Sequence, residues 1–219
     1  TRAVTLGLYD YARKSGSHGF VVSLSGGADS AAVACLAALM IRRAVDEIGL
    51  DVTASALGQS AAALAGDAPV EDLIGRTLTT VYQATRNSTP TTRDAARLLA
   101  AVLSAKHIEW NVDDVCDSYI RKTEDALGRR LTWETDDVAL QNIQARSRAP
   151  GVWMLANVNY ALLLATSNRS EAAVGYATMD GDTCGGLSPI AGIDKAFLRR
   201  WLRWMEREGP MGLEPIAEL

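Results

Sequence analysis

The stretch of this chain richest in chemistry is Ser25-Gly26-Gly27-Ala28-Asp29-Ser30. Adjacent glycines let backbone N–H groups come close to a bulky anion, and hydroxyls such as those of Ser25 and Ser30 can follow an oxyanion. Asp29 would repel a phosphate unless a cation sat between them, so it reads as a ligand for a hard divalent ion, Mg²⁺. Phe20-Val21-Val22 before the loop has the make-up of a buried strand, and Ala31–Ile41 after it is rich in helix formers and free of Gly and Pro. That order places a helix N-terminus, with its free N–H groups and partial positive charge, beside the glycines. A glycine turn with a Ser or Asp cap is the plainer reading of the same residues.

Two common phosphate loops are excluded. No Lys follows the glycines, as Gly-x-x-x-x-Gly-Lys-Ser/Thr requires, and Gly26-Gly27 does not supply Gly-x-Gly-x-x-Gly. The stretch does resemble the Ser-Gly-Gly-x-Asp-Ser signature of the ATP pyrophosphatases. In that superfamily the loop holds the β,γ-pyrophosphate of ATP while the α-phosphate is attacked, and a substrate oxygen becomes adenylated.

The elements that must position the loop follow from pattern. Thr1–Lys14 reads as an entry helix, and the helix after the loop runs to about Gly49. Leu50–Gly75 reads as a helical insertion broken by Gly58, Gly66 and Pro69. Leu78–Tyr82 is a second strand, and Thr91-x-x-Asp94 resembles a capping box opening a helix through about Ala105. His107–Val112 alternates as a third strand, and Asp113 and Asp114 stand where an N-cap would, ahead of a helix to about Leu127. Thr135–Val158 is a helical pattern that kinks or restarts at Pro150-Gly151. Tyr160–Thr166 is a fourth buried strand, and Asp194–Glu208 a late helix with Trp201, Trp204 and Met205 on one side. Strands separated by helices call for an α/β fold with a doubly wound parallel sheet. Ligands bind beyond the carboxyl ends of such strands, where both the loop and Ser167–Glu171 fall.

The chain has 219 residues, 48% hydrophobic and 22% charged, which fits a globular protein with one large core. With 22 basic against 26 acidic residues, net −4, it has no electrostatic footprint for nucleic acid. No apolar run reaches membrane-spanning length, and no signal-peptide pattern opens the chain. Three cysteines without CxxC spacing suggest a reducing compartment, hence a cytoplasmic protein. Since it begins at Thr1, a piece of something longer is expected.

Two further segments carry polar groups at the expected site. Gln141–Arg148 precedes the fourth strand and Thr166–Thr178 follows from its end. Together with the phosphate loop, over about Tyr9–Lys195, they resemble NAD synthetase, the ligase that amidates nicotinic acid adenine dinucleotide (deamido-NAD). The resemblance implies a Rossmann-like fold of the adenine nucleotide alpha hydrolase type, with helices on both faces of the sheet. By the same resemblance Ser25, Gly26, Gly27, Asp29, Ser30, Thr166 and Lys195 bind ATP, and Asp29 and Glu171 hold Mg²⁺. Arg146 contacts deamido-NAD, while Asp29 and Lys195 take the catalytic roles. A homodimer or higher homo-oligomer is implied, with the kinked helix around Arg146–Trp153 as the contact.

Plainer readings stay open at this point. Arg146 and Arg148 could be solvated helix residues, Lys195 a surface lysine, and Glu171 a cap partner after Ser167 or Asn168. Met179 and Gly186 stand where ammonia-dependent members of the family carry a lysine and an aspartate. The stretch Gly175–Lys195 is more similar to the glutamine-dependent subgroup, which implies an N-terminal amidase domain supplying ammonia from glutamine. Cys35, Cys116 and Cys184 have no activating partner in the sequence, so none reads as a glutaminase nucleophile. Other adenylating ligases of the superfamily, such as a GMP-synthetase-like enzyme, and a non-catalytic adenine-nucleotide sensor are the rival readings.

Overall fold

A computed structural model describes residues 1–177 and 180–208. Its centre is β1 (Phe20–Ser23), whose alternate side chains enter different layers: Phe20 and Val22 face one hydrophobic cluster and Val21 faces another. β1 pairs in parallel with β2 (Leu78–Ala84) on one side and β4 (Leu162–Leu164) on the other, and β3 (Lys106–Asn111) pairs with β2. The order β3-β2-β1-β4 gives a four-stranded, all-parallel sheet. Parallel neighbours need crossovers, and helices supply them on both faces.

The larger cluster lies between the sheet and α1 (Arg2–Ser15), α2 (Ala28–Ile48), α4 (Pro69–Thr77) and α5 (Pro90–Val102), with α10 (Lys195–Glu208) closing one end. Every residue of α2 from Ser30 to Ile41 is buried. A helix apolar on all sides is stable only when covered on all sides, and α2 is covered by the sheet, α1, α3 (Leu50–Ala56), α4 and α10. The smaller cluster joins Val21, Val81 and Leu163 to Val152 and Ala156 of α8 (Ala149–Val158). The 50–75 insertion is helical: α3, a 3₁₀ turn at Ala61–Ala63, and α4.

Local chemistry moves several boundaries. α5 is capped by Thr89 rather than Thr91, the Thr89 hydroxyl accepting the Thr92 N–H at 3.3 Å. Pro90 explains the shift: it needs no N–H partner at the first helical position, which puts the cap one residue before it. Asp113 and Asp114 lie inside the first turn of α6 (Asp113–Leu127), and the Asn111 side chain accepts the Asp113 N–H at 2.7 Å. The 135–158 pattern divides into α7 (Asp137–Arg146) and α8, with Ser147 and Arg148 as the joint. Gly151 admits the Trp110 ring, which would lie 2.9 Å from a Cβ at that position. β4 is shorter than Tyr160–Thr166 because Ala165 and Thr166 turn to a different partner, donating to the carbonyls of Leu187 and Asp182 at 2.9 and 3.0 Å. In α10 the buried positions are Leu198 and Met205, while Trp204 is 43% exposed.

Candidate functional site

β1, β2 and β4 all end at the same edge of the sheet, and the loops that leave them meet there. The loop after β1 is a closed set of hydrogen bonds. Leu24 extends the pairing one step, donating to Val81 O at 2.8 Å. Ser25 N–H donates to the Ser30 hydroxyl at 3.2 Å, and the Ser30 hydroxyl donates to Gly27 O at 3.1 Å. The two hydroxyls lie 3.1 Å apart, and Gly27 N–H donates to Ser25 Oγ at 3.2 Å. Gly26 has φ +79°, and a Cβ there would lie 2.2 Å from Thr92 O at the start of α5. Only glycine fits that position. No side chain caps α2, so its first-turn N–H groups remain available to an anion.

Three elements bring the charged residues together beside this loop. Asp29 stands in the first turn of α2, Glu171 in the first turn of α9 (Arg169–Val174), and Lys195 opens α10. Lys195 Nζ is paired with Asp29 and lies 3.5 Å from Glu171 Oε1. Asn168, 1% exposed, binds the group into one unit. Its Nδ2 donates to Asp29 Oδ1 at 3.0 Å, while Asn168 and Glu171 form a reciprocal capping box at 3.1 and 3.2 Å. Glu171 therefore caps α9 and faces Lys195 at once. A clasp holds Lys195 in place: its N–H donates to Ser170 Oγ at 3.0 Å, and Arg169 pairs with Asp194 at 3.1 Å. Asp194 accepts the Phe197 N–H at 2.8 Å, and that bond holds its carboxyl below the usual range.

The donor set suits a hard divalent cation. Two carboxylates already share one cationic group, and Mg²⁺ takes one or two protein carboxylates and fills its octahedron with phosphate oxygens and water. Among the described residues no three His, Cys, Asp or Glu side chains form a cage of their own.

A cavity of about 480 Å³ opens on the other side of the loop. Ser23 and Ser25 form one wall, Thr166, Asp182 and Cys184 a second, and Gln83, Thr85 and Arg148 a third. Trp110 Nε1–H, a donor only, gives its proton to Gln83 Oε1 at 3.1 Å, which turns the Gln83 amide nitrogen toward Ser23 Oγ at 3.1 Å. Thr166 is half-buried on the wall opposite. Arg146 is not brought to this cavity; it is exposed on α7 beside a separate groove formed with Asp136, Asp137 and Asn142. Arg148 stands in the cavity wall instead, and sequence reasoning gave it no role. Asn168 was read from the sequence only as one of two caps for Glu171; its bond to Asp29, 139 residues away in the chain, has no local signal. Met179 lies outside the described residues. Gly186 is exposed, its N–H donating to Leu163 O at 2.8 Å.

The thiols are quiet. Burial pushes Cys35 up to about 12, and burial also raises Cys184. Cys116 is buried in α6.

Comparison with known proteins identifies the family. The family model described as NAD synthase matches residues 1–210. The chain belongs to the NAD synthase family. A crystal structure of a glutamine-dependent NAD(+) synthetase from Cytophaga hutchinsonii superimposes with a TM-score of 0.89 at 50% identity, over 95% of this chain and 37% of that one. The glutamine-dependent NAD(+) synthetase of Rhodobacter capsulatus is 36% identical over 93% of this chain and 30% of its own length. The Oryza sativa subsp. indica protein of the same name is 32% identical over 90% and 29%. The chain thus spans about a third or less of the length of these relatives. The family's α/β fold with a parallel sheet is the one described above, and the likeness to glutamine-dependent members read from Gly175–Lys195 agrees with these relatives. Among the described residues no helix is long and apolar enough to cross a membrane.

Proposed function

We propose that this chain is the synthetase part of an enzyme that amidates deamido-NAD to NAD at the expense of ATP. In the first step a nicotinate carboxylate oxygen attacks the α-phosphorus of ATP. A new O–P bond forms as the bond to the β-phosphate breaks, and pyrophosphate leaves. Ammonia then attacks the activated carbonyl carbon, AMP departs with the oxygen it gained, and the nitrogen loses a proton to give the amide.

The chain's own residues position the groups and balance charge. Gly26 and the first turn of α2 offer N–H donors to the pyrophosphate, Gly27 leaves room for it beside them, and the Ser25 and Ser30 hydroxyls are close enough to follow it. Asp29 and Glu171 would hold Mg²⁺, which offsets phosphate charge when bound. Lys195 would neutralise the leaving group. The nitrogen source for this chain alone is ammonium, since none of the three described thiols is an activated nucleophile; in a longer natural protein an amidase domain would feed ammonia from glutamine. Met154 within α8, Val158 at its end and Tyr160 just beyond it are 67, 74 and 72% exposed, apolar surface adjoining the contact expected around Arg146–Trp153 that supports self-association there. We take the protein to work in the cytoplasm.

The observation that carries this reading is the meeting of Asp29, Glu171 and Lys195, from three separate helices, beside the phosphate loop. Its test is pyrophosphate release from ATP by the full natural chain with Mg²⁺. Release that requires deamido-NAD, and that continues beyond one equivalent per site only with ammonium, is expected. Release without deamido-NAD, or nucleotide binding with no release under any condition, would refute it.

A further inference from the structure

Arg148 sits at the α7–α8 joint with its guanidinium in the cavity wall. Its Nε donates to the Gln83 carbonyl at 3.4 Å and its Nη1 to the Gln144 carbonyl at 3.1 Å. Those carbonyls fix the plane of the group but bring no negative charge. Among the described residues no carboxylate lies within 4.0 Å of it. Asp113, the carboxylate whose field it feels, is already engaged by Arg86 at 3.4 Å and Asn111 at 3.1 Å. Asp182, the one carboxylate among the described cavity-lining residues, is on the β4 wall and forms no ion pair with it. Burial of the group disfavours its charge and lowers it from the ordinary arginine value, yet a guanidinium does not give up its proton in a protein.

A half-buried cation with no counter-ion is costly unless a ligand brings the charge. Two of the five N–H donors are used, which leaves part of the fork for a phosphate. We propose that Arg148 is a nucleotide-binding residue whose free guanidinium N–H groups take a phosphate oxygen of a phosphoanhydride seated in this cavity. The inference rests on the ATP-dependent reading above. ATP and deamido-NAD both carry such a phosphoanhydride, and the measurement separates them.

The experiment uses the full natural chain and three probes in titration calorimetry: ATP with Mg²⁺, deamido-NAD, and adenosine as a phosphate-free control. Arg148→Met removes the charge while keeping an apolar stem, and Arg148→Lys keeps the charge without the fork. Expected is a loss of about ten- to a hundred-fold in affinity for one phosphorylated probe in Arg148→Met, with a smaller loss in Arg148→Lys and adenosine unchanged. The probe that weakens identifies the ligand. If Arg148→Met does not fold, a loss of about tenfold for a phosphorylated probe alone in Arg148→Lys supports the proposal, and none overturns it. A folded Arg148→Met that binds all three probes like the wild type, or loses adenosine as strongly as ATP, overturns it and leaves Arg148 a staple between β2 and α7. A wild-type chain that binds none of the probes overturns the ATP-dependent reading and this inference with it.

Discussion

Gly26 and Gly27 are neighbours with different duties, and substituting each by alanine separates folding from binding. Gly26 has φ +79°, and its Cβ would meet Thr92 O at 2.2 Å. Reaching an ordinary contact requires that backbone oxygen to give by roughly an ångström, and Thr92 is tied down, its hydroxyl bonded to Thr89 O at 3.0 Å and to Tyr82 Oη at 2.9 Å. The left-handed conformation alone costs a non-glycine residue about 1–2 kcal/mol, and the clash adds about as much again. Gly26→Ala should therefore lose about 2–4 kcal/mol in urea unfolding and, because the Ser25–Ser30 pair moves with the loop, at least about tenfold in ATP affinity. Gly27 has φ −93° and ψ 164°, a conformation any residue adopts, and its Cβ would meet only the Ser25 hydroxyl, at 3.3 Å. Gly27→Ala should keep its stability within about 0.5 kcal/mol yet weaken ATP, because the added methyl stands where a phosphate must approach the N–H. A Gly26→Ala protein as stable as the wild type would refute the argument from close approach. A Gly27→Ala protein with wild-type ATP affinity would refute the placing of phosphate against the helix start.

Other expectations concern the charged cluster, a histidine and the exposed end of α8. Asp29→Asn and Glu171→Gln should each raise the Mg²⁺ concentration needed for half-maximal turnover, and unchanged Mg²⁺ dependence in both would remove the two-carboxylate assignment. Asn168→Ala removes both the α9 cap and a donor to Asp29, so a loss of about 1–2 kcal/mol in chemical denaturation should come with weaker Mg²⁺ dependence; a stability loss with intact Mg²⁺ response would make Asn168 a cap only. Burial lowers the pKa of His107 from 6.5, with Arg97 also lowering it and Glu109 opposing, so the unfolded chain binds the proton more readily. That contribution to stability is present above 6.5 and is lost as pH falls through the folded value; His107→Gln should flatten the dependence below pH 6.5 and leave it unchanged above, measured as urea midpoints. Val158→Asp should shift a dimer toward monomer in sedimentation, and an unaltered assembly would move the interface elsewhere.

The strands and the phosphate loop were legible because their signals are local. Phe20–Val22 and His107–Val112 carry strand patterns in their own residues, and Gly26-Gly27 has no ready use outside a tight loop. The cap at Thr89 was read two residues late because Thr91-x-x-Asp94 fits the same template, and Pro90 decides between them. The length of β4 was overestimated because apolar Ala165 and β-branched Thr166 continue the strand pattern; their hydrogen bonds to Leu187 and Asp182 depend on Gly185 lying against Ala165, a long-range contact with no local mark. Arg146 and Arg148 show a limit of motif matching. Residues two apart near a helix end point in different directions, so one cavity receives only one of them, and the bonds of Arg148 to the Gln83 and Gln144 carbonyls hold it there.

The burial of α2 from Ser30 to Ile41 has a consequence for how the site moves. The loop begins one residue past β1, and Ala31 N–H already bonds Gly27 O at 3.1 Å, so no slack segment joins the loop to the interior. An opening of the α2 start therefore strips the central helix from the sheet, which is the unfolding of the whole domain rather than of a separate small unit. Amide hydrogens of α2 from Ala31 on, the first that is hydrogen-bonded, should exchange with the global free energy and show the same denaturant sensitivity as those of Leu39 and Met40. A ligand seated on the loop should slow exchange throughout the sheet by a uniform factor, because it adds its binding free energy to one cooperative transition.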